Sequence, residues 1–503
     1  MHEKPLKNLK YRARGVMQKM YKEKSNQISL AEFNSPFGKL DRDNRWVRMA
    51  DMIPWRQYEK KYAERFCDNN GAPAIQYRMA MGTLIIKQRT GHSDEETLQD
   101  IVENPYLQYL IGLHEFTTTA PFAASSITNF RKYITSDMVA EINDDLFRNV
   151  KNNNEDDDNE SHGGDSNNDL NDEKPCTPNK GELLLDATCA PANIAYPTDV
   201  NLLNEAREKL ESIIDTLHAQ TGDTVKPRTY RRKARHRYLQ FIKQRKPRKE
   251  TIRKALKQQL QYVLRDLTHI DKQLQVTGID VLSKYKIEQL QTIRELYTQQ
   301  REMYDNKIHT VSDRIVSIHQ PHIRPIVRGK TNASVEFGAK VSISLIDGYA
   351  FIDKLGWDAY NEEEQLIPAV ETYKQRYGHY PEAVLADKIY RNRANRSYCK
   401  QHGIRLSGPR LGRPPKETDK NVLKQERTDA SGRNAIEGKF GEGKMKYGLD
   451  RIMARLKGNS ETVIAMSFLC MNISRRLRVL FCNFFYLVFF KVRVLDICFL
   501  WGF

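Results

Sequence analysis

VEFGAKVSISLIDGYAFIDKLGW, residues 335–357, alternates apolar and polar side chains on either side of Asp347-Gly348. A period of two marks a strand with one face on a core, and Asp-Gly is a favoured two-residue turn between paired strands. The strand period sets in near Glu336, so the stretch reads as a β-hairpin. Downstream, EEQLIPAVETYKQRY (363–377) has helical spacing, and EAVLAD (382–387) is a short apolar run closed by an acid. Upstream, LLLDA (183–187) is a similar run and reads as a buried strand. A basic, Pro-rich loop (GPRLGRPPK, 408–416) precedes a last helix beginning near Ser431. Strand, hairpin, helix, strand and helix predict a mixed α/β sheet.

Between the first strand and the hairpin, residues 201–305 read as a largely helical insertion. Its opening is crowded with cations from Lys226 to Lys257. Arg231, Arg232, Lys233, Arg235, Arg237, Lys243 and Arg245 lie there, with Tyr230, Tyr238 and Phe241 interleaved. Such density suits phosphate contacts, with aromatic rings available for stacking; the competing reading is a solvated helix face.

Ahead of the sheet, residues 1–150 predict an all-helical domain. SDEETLQDIVENPYLQYLIG (93–112) opens on a capping serine with acids in the first turn, and Asn104-Pro105 interrupts it. SSITNFRKYI (125–134) follows, carrying Arg131 and Lys132. Short helices ending in a basic one suit a helix-turn-helix DNA-binding module. Residues 151–180 begin KNNNEDDDNESHGGDSNNDLNDEK, almost free of apolar side chains, and are expected to be a disordered acidic linker.

The chain has 503 residues and a formal net charge of +17, which points to a polyanionic partner, nucleic acid before membrane. Its seven cysteines (Cys67, Cys176, Cys189, Cys399, Cys470, Cys482 and Cys498) show no zinc spacing, which favours a reduced, cytoplasmic protein over a disulfide-built one. The basic start lacks the apolar core of a signal peptide. Residues 461–503 read as a C-terminal helix with an apolar tail. The tail's longest apolar run, VLFCNFFYLVFF (479–490), falls short of the roughly 20 residues a membrane span needs.

Three acids stand out by position. Asp186 closes the first strand, Asp387 closes a later one, and Glu437 lies in the last helix before a glycine-rich bend. Acids at the ends of neighbouring strands converge on one rim, and carboxylate oxygens suit Mg²⁺ or Mn²⁺. Strand-end acids also serve as plain caps and turn formers. In SGRNAIEGKFGEGKMKYGL (431–449), Arg433 precedes Glu437 by four residues and Lys444 follows it by seven. The three share a helical face if Gly438, Gly441 and Gly443 leave the helix intact. Asp199 reads as a cap for the next helix, and Asp347 as turn chemistry. Glu442 sits too near the glycines to be placed, and His319 and His322 read as loop residues.

With these residues the sequence resembles the DDE transposases of bacterial insertion sequences, the InsH-like group. The match lies in Arg433, Glu437 and Lys444 at that spacing, in LLLDATCAPANIAYPTD (183–199), in AVLADKIYRNRANRSYC (383–399), and in the helical stretch from about Trp55 to Ile134. The resemblance implies an RNase H-like catalytic domain over 181–460. It implies Asp186, Asp387 and Glu437 as ligands of two Mg²⁺ or Mn²⁺ ions, with Arg433 and Lys444 on DNA phosphates. It further implies cleavage and transfer of DNA strands at terminal inverted repeats and target DNA, by a nucleoid-associated homodimer with no membrane role. The family signature usually has a tyrosine where this chain has Ala430; that position is not a metal ligand, so the change bears on DNA handling. A transposase-derived DNA-binding protein without activity, or an RNase H-like nuclease, are the competing readings.

Overall fold

The computed structural model describes residues 29–66, 73–148, 178–221, 225–327, 335–408 and 420–500, with side chains as far as Leu480. The expected disordered linker and the Pro-rich loop fall almost wholly outside the described residues. Among the described residues seven helices come first: α1 (Arg45–Met52), α2 (Trp55–Ala63), α3 (Tyr77–Thr90), α4 (Asp94–Glu103), α5 (Pro105–Leu110), α6 (Ser126–Tyr133) and α7 (Ser136–Phe147). Ser93 and Glu96 form a full capping box at the start of α4. Asn104 ends α4 and caps α5, whose first residue is Pro105, where its missing N–H costs nothing.

The sheet contains β1 (Glu182–Pro191), β2 (Arg324–Val327), β3 (Val335–Ile346), β4 (Tyr349–Gly356), β5 (Ala383–Ala386) and β6 (Arg405–Leu406). β1 is central: β3 pairs antiparallel on one side, β5 parallel on the other, and β6 extends β5 in parallel. β2 and β4 both pair antiparallel with β3. The fold is therefore mixed α/β around a six-stranded mixed sheet. The β3–β4 hairpin turns on Asp347 (φ 50°) and Gly348 (φ 80°), the pair of positive φ angles that such a two-residue turn demands. A Cβ on Gly348 would also lie 2.1 Å from the guanidinium carbon of Arg475.

β1 corrects one expectation. Asp186 stands in mid-strand rather than at the end, because β1 pairs with β3 as far as Pro191, well past the end of β5.

Between β1 and β2 lie α8 (Asp199–Thr221), α9 (Arg231–Ile242), α10 (Lys249–Thr277) and α11 (Lys284–Asn306). α8, α10 and α11 close a core of their own with residues such as Leu203, Leu210, Ile214, Val263, Ile270 and Ile293. A second, larger core is continuous from the N-terminal helices through the sheet into the C-terminal helix, joining Tyr77, Ile142, Leu183, Phe351 and Leu469.

After β4 come α12 (Leu366–Tyr377), α13 (Arg393–Gln401), α14 (Lys420–Lys446) and α15 (Lys457–Leu500). α14 overturns a second expectation. It begins at Lys420, not near Ser431, and runs unbroken through Gly438, Gly441 and Gly443. Each helical glycine costs about 1 kcal/mol relative to alanine. Burial of Ile436 and Phe440 against the body offsets that. Among the described residues, no helix is long and apolar enough to cross a membrane.

Candidate functional site

The parallel register of β1 and β5 pairs Leu184 with Leu385 and Leu185 with Ala386. The next residues along are Asp186 and Asp387, so the two acids emerge side by side where the strands part. Asp387 caps a short 3-10 turn, its Oδ1 accepting from the Lys388 N–H at 2.6 Å. Asp186 Oδ1 accepts from the Ala187 N–H at 2.8 Å. Burial pushes the Asp186 carboxyl up to about 6. The Ala187 N–H and the Arg433 charge oppose that rise, and the carboxylates of Glu362 and Asp387 add to it.

Side-chain alternation puts Asp186 on the sheet face of Leu184 and Leu385. α14 packs on that face, since a Cβ on Gly432 would lie 3.1 Å from Leu385 Cδ1. Directly after it, Arg433 Nη1 reaches Asp387 Oδ1 at 3.6 Å. Glu437 follows one turn later, about 6 Å along the helix axis. It is exposed, on the same flank of the helix as Arg433 and the partly exposed Lys444. Oxygen donors of this kind suit a hard divalent cation. Among the described residues, no three acid, histidine or cysteine side chains close on a point that could hold a metal ion. Asp186 and Asp387 are thus brought together, and Glu437 stands one helical turn beyond the ion pair that joins α14 to them.

Sequence reasoning missed Glu362. Its carboxylate acts on Asp186 and on buried Tyr390, and it pairs with Lys340 of β3 at 2.9 Å. The only signal was the acidic run Glu362–Glu364 just before α12. Burial, then the charges of Glu362 and Asp186, hold the Tyr390 hydroxyl well above its ordinary range.

The expected DNA-contacting cations divide in two. Arg231 is committed to Asp215 through bonds of 3.1 and 2.7 Å, Arg237 donates to Tyr262 Oη at 3.1 Å, and Arg131 turns onto Asp94 at 3.0 Å. Lys132, Arg232, Lys233, Arg235, Lys243 and Arg245 are exposed. The other acids have structural partners: Asp199 accepts from Arg314 at 2.6 Å and Gln300 at 2.9 Å, and Glu442 from Lys439 at 3.2 Å and Arg478 at 3.0 Å. His319 pairs with Glu205 at 3.1 Å. His322 stands edge-on to Trp357, and burial pushes its imidazole down to about 4.

A family model described as a transposase DDE domain matches residues 384–474, the stretch that holds Asp387, Arg433, Glu437 and Lys444. A second, described as a transposase domain (DUF772), matches residues 35–133, from just before α1 to the end of α6. Over 96 residues, 19% of its length, the chain is 35% identical to an uncharacterized protein, ORF8 in the nfe locus of Rhizobium meliloti. That match spans 46% of the relative, so less than half of it is represented here. No solved structure matches the chain. Transposase domain models thus match both before and after the helical insertion, which is consistent with a DDE transposase of insertion sequences.

Proposed function

We propose that this chain is a DDE transposase that cuts and rejoins DNA at the terminal inverted repeats of its own element, using Asp186, Asp387 and Glu437 as a shared carboxylate centre. The observation that carries the proposal is the adjacency of Asp186 and Asp387 at the parting of β1 and β5, with α14 laid across them through Arg433. The strand order, with antiparallel β3 on one side of β1 carrying β2 and β4, and parallel β5 and β6 on the other, supports an RNase H-like reading of the catalytic domain. Residues 1–150 would serve as the DNA-binding domain and residues 181–460 as the catalytic one.

Two divalent cations held by the three carboxylates would supply charge neutralisation at the attacking and leaving oxygens of phosphoryl transfer. The chain's own part is positional. Burial and neighbouring carboxylates make Asp186 seek positive charge. Arg433 orients Asp387, and Lys444 stands seven residues beyond Glu437, on the same flank, for phosphate oxygens. Bringing Glu437 to the aspartates would accompany DNA binding, on a homodimer that pairs two element ends. The test is incubation of the purified chain with DNA from the flanks of its reading frame, with Mg²⁺ or Mn²⁺ and then with a chelator. Metal-dependent nicking at a fixed position supports the proposal; DNA that stays intact under every metal condition overturns it.

A further inference from the structure

Away from the acids, a cavity of about 320 Å³ opens where β1 hands the chain to α8. Asn193, Tyr196, Asn201, Ser317, Gln320 and Arg455 line it. It lies roughly 20 Å from Asp186, by the length of strand to Pro191 and the residues just beyond. Three features call for an explanation. Gln320 is only 3% exposed, yet its side-chain oxygen has no hydrogen-bond partner, although a buried polar atom is normally satisfied. Tyr196 is 71% exposed, with its ring braced edge-on by Phe337 at 5.6 Å. Asn201 accepts from the Tyr238 hydroxyl at 3.2 Å, which ties the cavity wall to the cation-rich helix α9.

We propose that this cavity is a nucleobase pocket. An exposed, braced aromatic ring is a stacking platform for a planar heterocycle. Asn193, Asn201 and Ser317 supply donors and acceptors for the base edge, and rotation of the buried Gln320 amide would bring its unpartnered oxygen to an exocyclic amine or ring N–H. Ile194, Leu202 and Val316 supply apolar walls, and the exposed Arg455 stands at the mouth for the attached phosphate. The volume sits at the lower end of ligand pockets, about 300–1,000 Å³, enough for one nucleoside and not for a stacked pair. The base could belong to a DNA strand or to a free nucleotide; the first source rests on the transposase reading above, and the pocket chemistry does not.

The test needs no divalent metal, so it is separable from strand cleavage. Each of the four deoxynucleoside monophosphates is titrated by saturation-transfer NMR. A single-stranded oligonucleotide is titrated by fluorescence anisotropy at raised salt, where phosphate contacts are weakened. Tyr196→Ala should weaken whichever probe occupies the pocket about tenfold, and Tyr196→Phe should retain binding. Gln320→Leu should change which base is preferred. An effect on the oligonucleotide alone assigns a strand base; an effect on the monophosphates assigns a free nucleotide. If the monophosphates bind in a Tyr196-dependent way and no DNA binds, the pocket stands and the DNA reading falls. If Tyr196→Ala binds both probes as the unaltered chain does, or if neither probe binds, the pocket proposal is overturned.

Discussion

Asp186 and Asp387 are the first residues past the last paired step of β1 and β5, Leu185 opposite Ala386, and Asp387 is held by Arg433 at 3.6 Å. Two carboxylates delivered by parallel register cannot be separated without shifting a whole strand. Replacing either therefore removes a donor without disturbing the backbone that places it. Asp186→Asn, Asp387→Asn and Glu437→Gln should each lower metal-dependent cleavage of end DNA by about a hundredfold or more, as loss of one electrostatic stabiliser commonly does. Binding of the same DNA should stay within about twofold, since phosphate contacts dominate affinity. Cleavage unchanged in any one variant would strike that residue from the centre.

Arg231 and Arg232 are sequence neighbours in different surroundings. Arg231 is bound twice by Asp215, whereas Arg232 is exposed. Neutralising Arg232, Lys233 and Arg235 together should weaken DNA binding and flatten its salt dependence by roughly one unit of slope per lost phosphate contact. Arg231→Ala should instead lower the melting temperature. A triple variant with the original salt slope would free this face of any role in DNA contact.

The sequence made the sheet legible because its strands are strongly patterned: the alternation around Asp347-Gly348 and the apolar runs before Asp186 and Asp387 each have a local cause. The reach of β1 past Asp186 was not legible, because strand length depends on the partner, and β3 is supplied from about 150 residues downstream. α14 was misjudged for the same reason. Three glycines signal a break locally, and the packing of Ile436 and Phe440 decides otherwise. Within the candidate site, Asp186 and Asp387 stand out in the sequence as acids closing apolar runs, and Arg433 and Glu437 by their spacing on one helix. Glu362 does not, since its pairing with Lys340 and its field at Asp186 arise only when the sheet assembles.

Asp353 gives a pH dependence that is separate from the three candidate acids. Burial raises its carboxyl to about 7, against the pull of a hydrogen bond from Ser344 and the charge of Arg376, with Asp144 adding to the rise. The unfolded value lies near 4, so the folded protein holds this proton more tightly. Its stabilising contribution is complete below about pH 4 and is lost as pH rises through about 7. Asp353→Asn carries no such charge at any pH. Its melting temperature should therefore exceed that of the unaltered chain at pH 8.5, with the advantage shrinking toward pH 5. Parallel melting curves for the two proteins across that range would show that Asp353 does not titrate as described.

Asn472 of α15 binds three parts of the chain at one buried point. Its Nδ2 donates to Asn143 Oδ1 of α7 at 2.8 Å and to the Ala350 carbonyl of β4 at 2.7 Å, and its Oδ1 accepts from the Ala350 N–H at 2.9 Å. Asn143 also donates to the Ala350 carbonyl at 3.1 Å, so that oxygen keeps a partner if Asn472 is lost. The Ala350 N–H and Asn143 Oδ1 would be left without theirs. Stranding two buried polar groups at about 1–3 kcal/mol each predicts that Asn472→Ala destabilises the protein by roughly 3 kcal/mol. Because the N-terminal helices, the sheet and α15 share one core, the loss should move their unfolding together. Trp46 and Trp55 report on the helices and Trp357 on the sheet edge, so urea unfolding followed by fluorescence of single-tryptophan versions should shift by the same amount in each. A midpoint that moves for Trp357 while those of Trp46 and Trp55 stay in place would mean that the helices and the sheet unfold as separate units and that Asn472 does not join them.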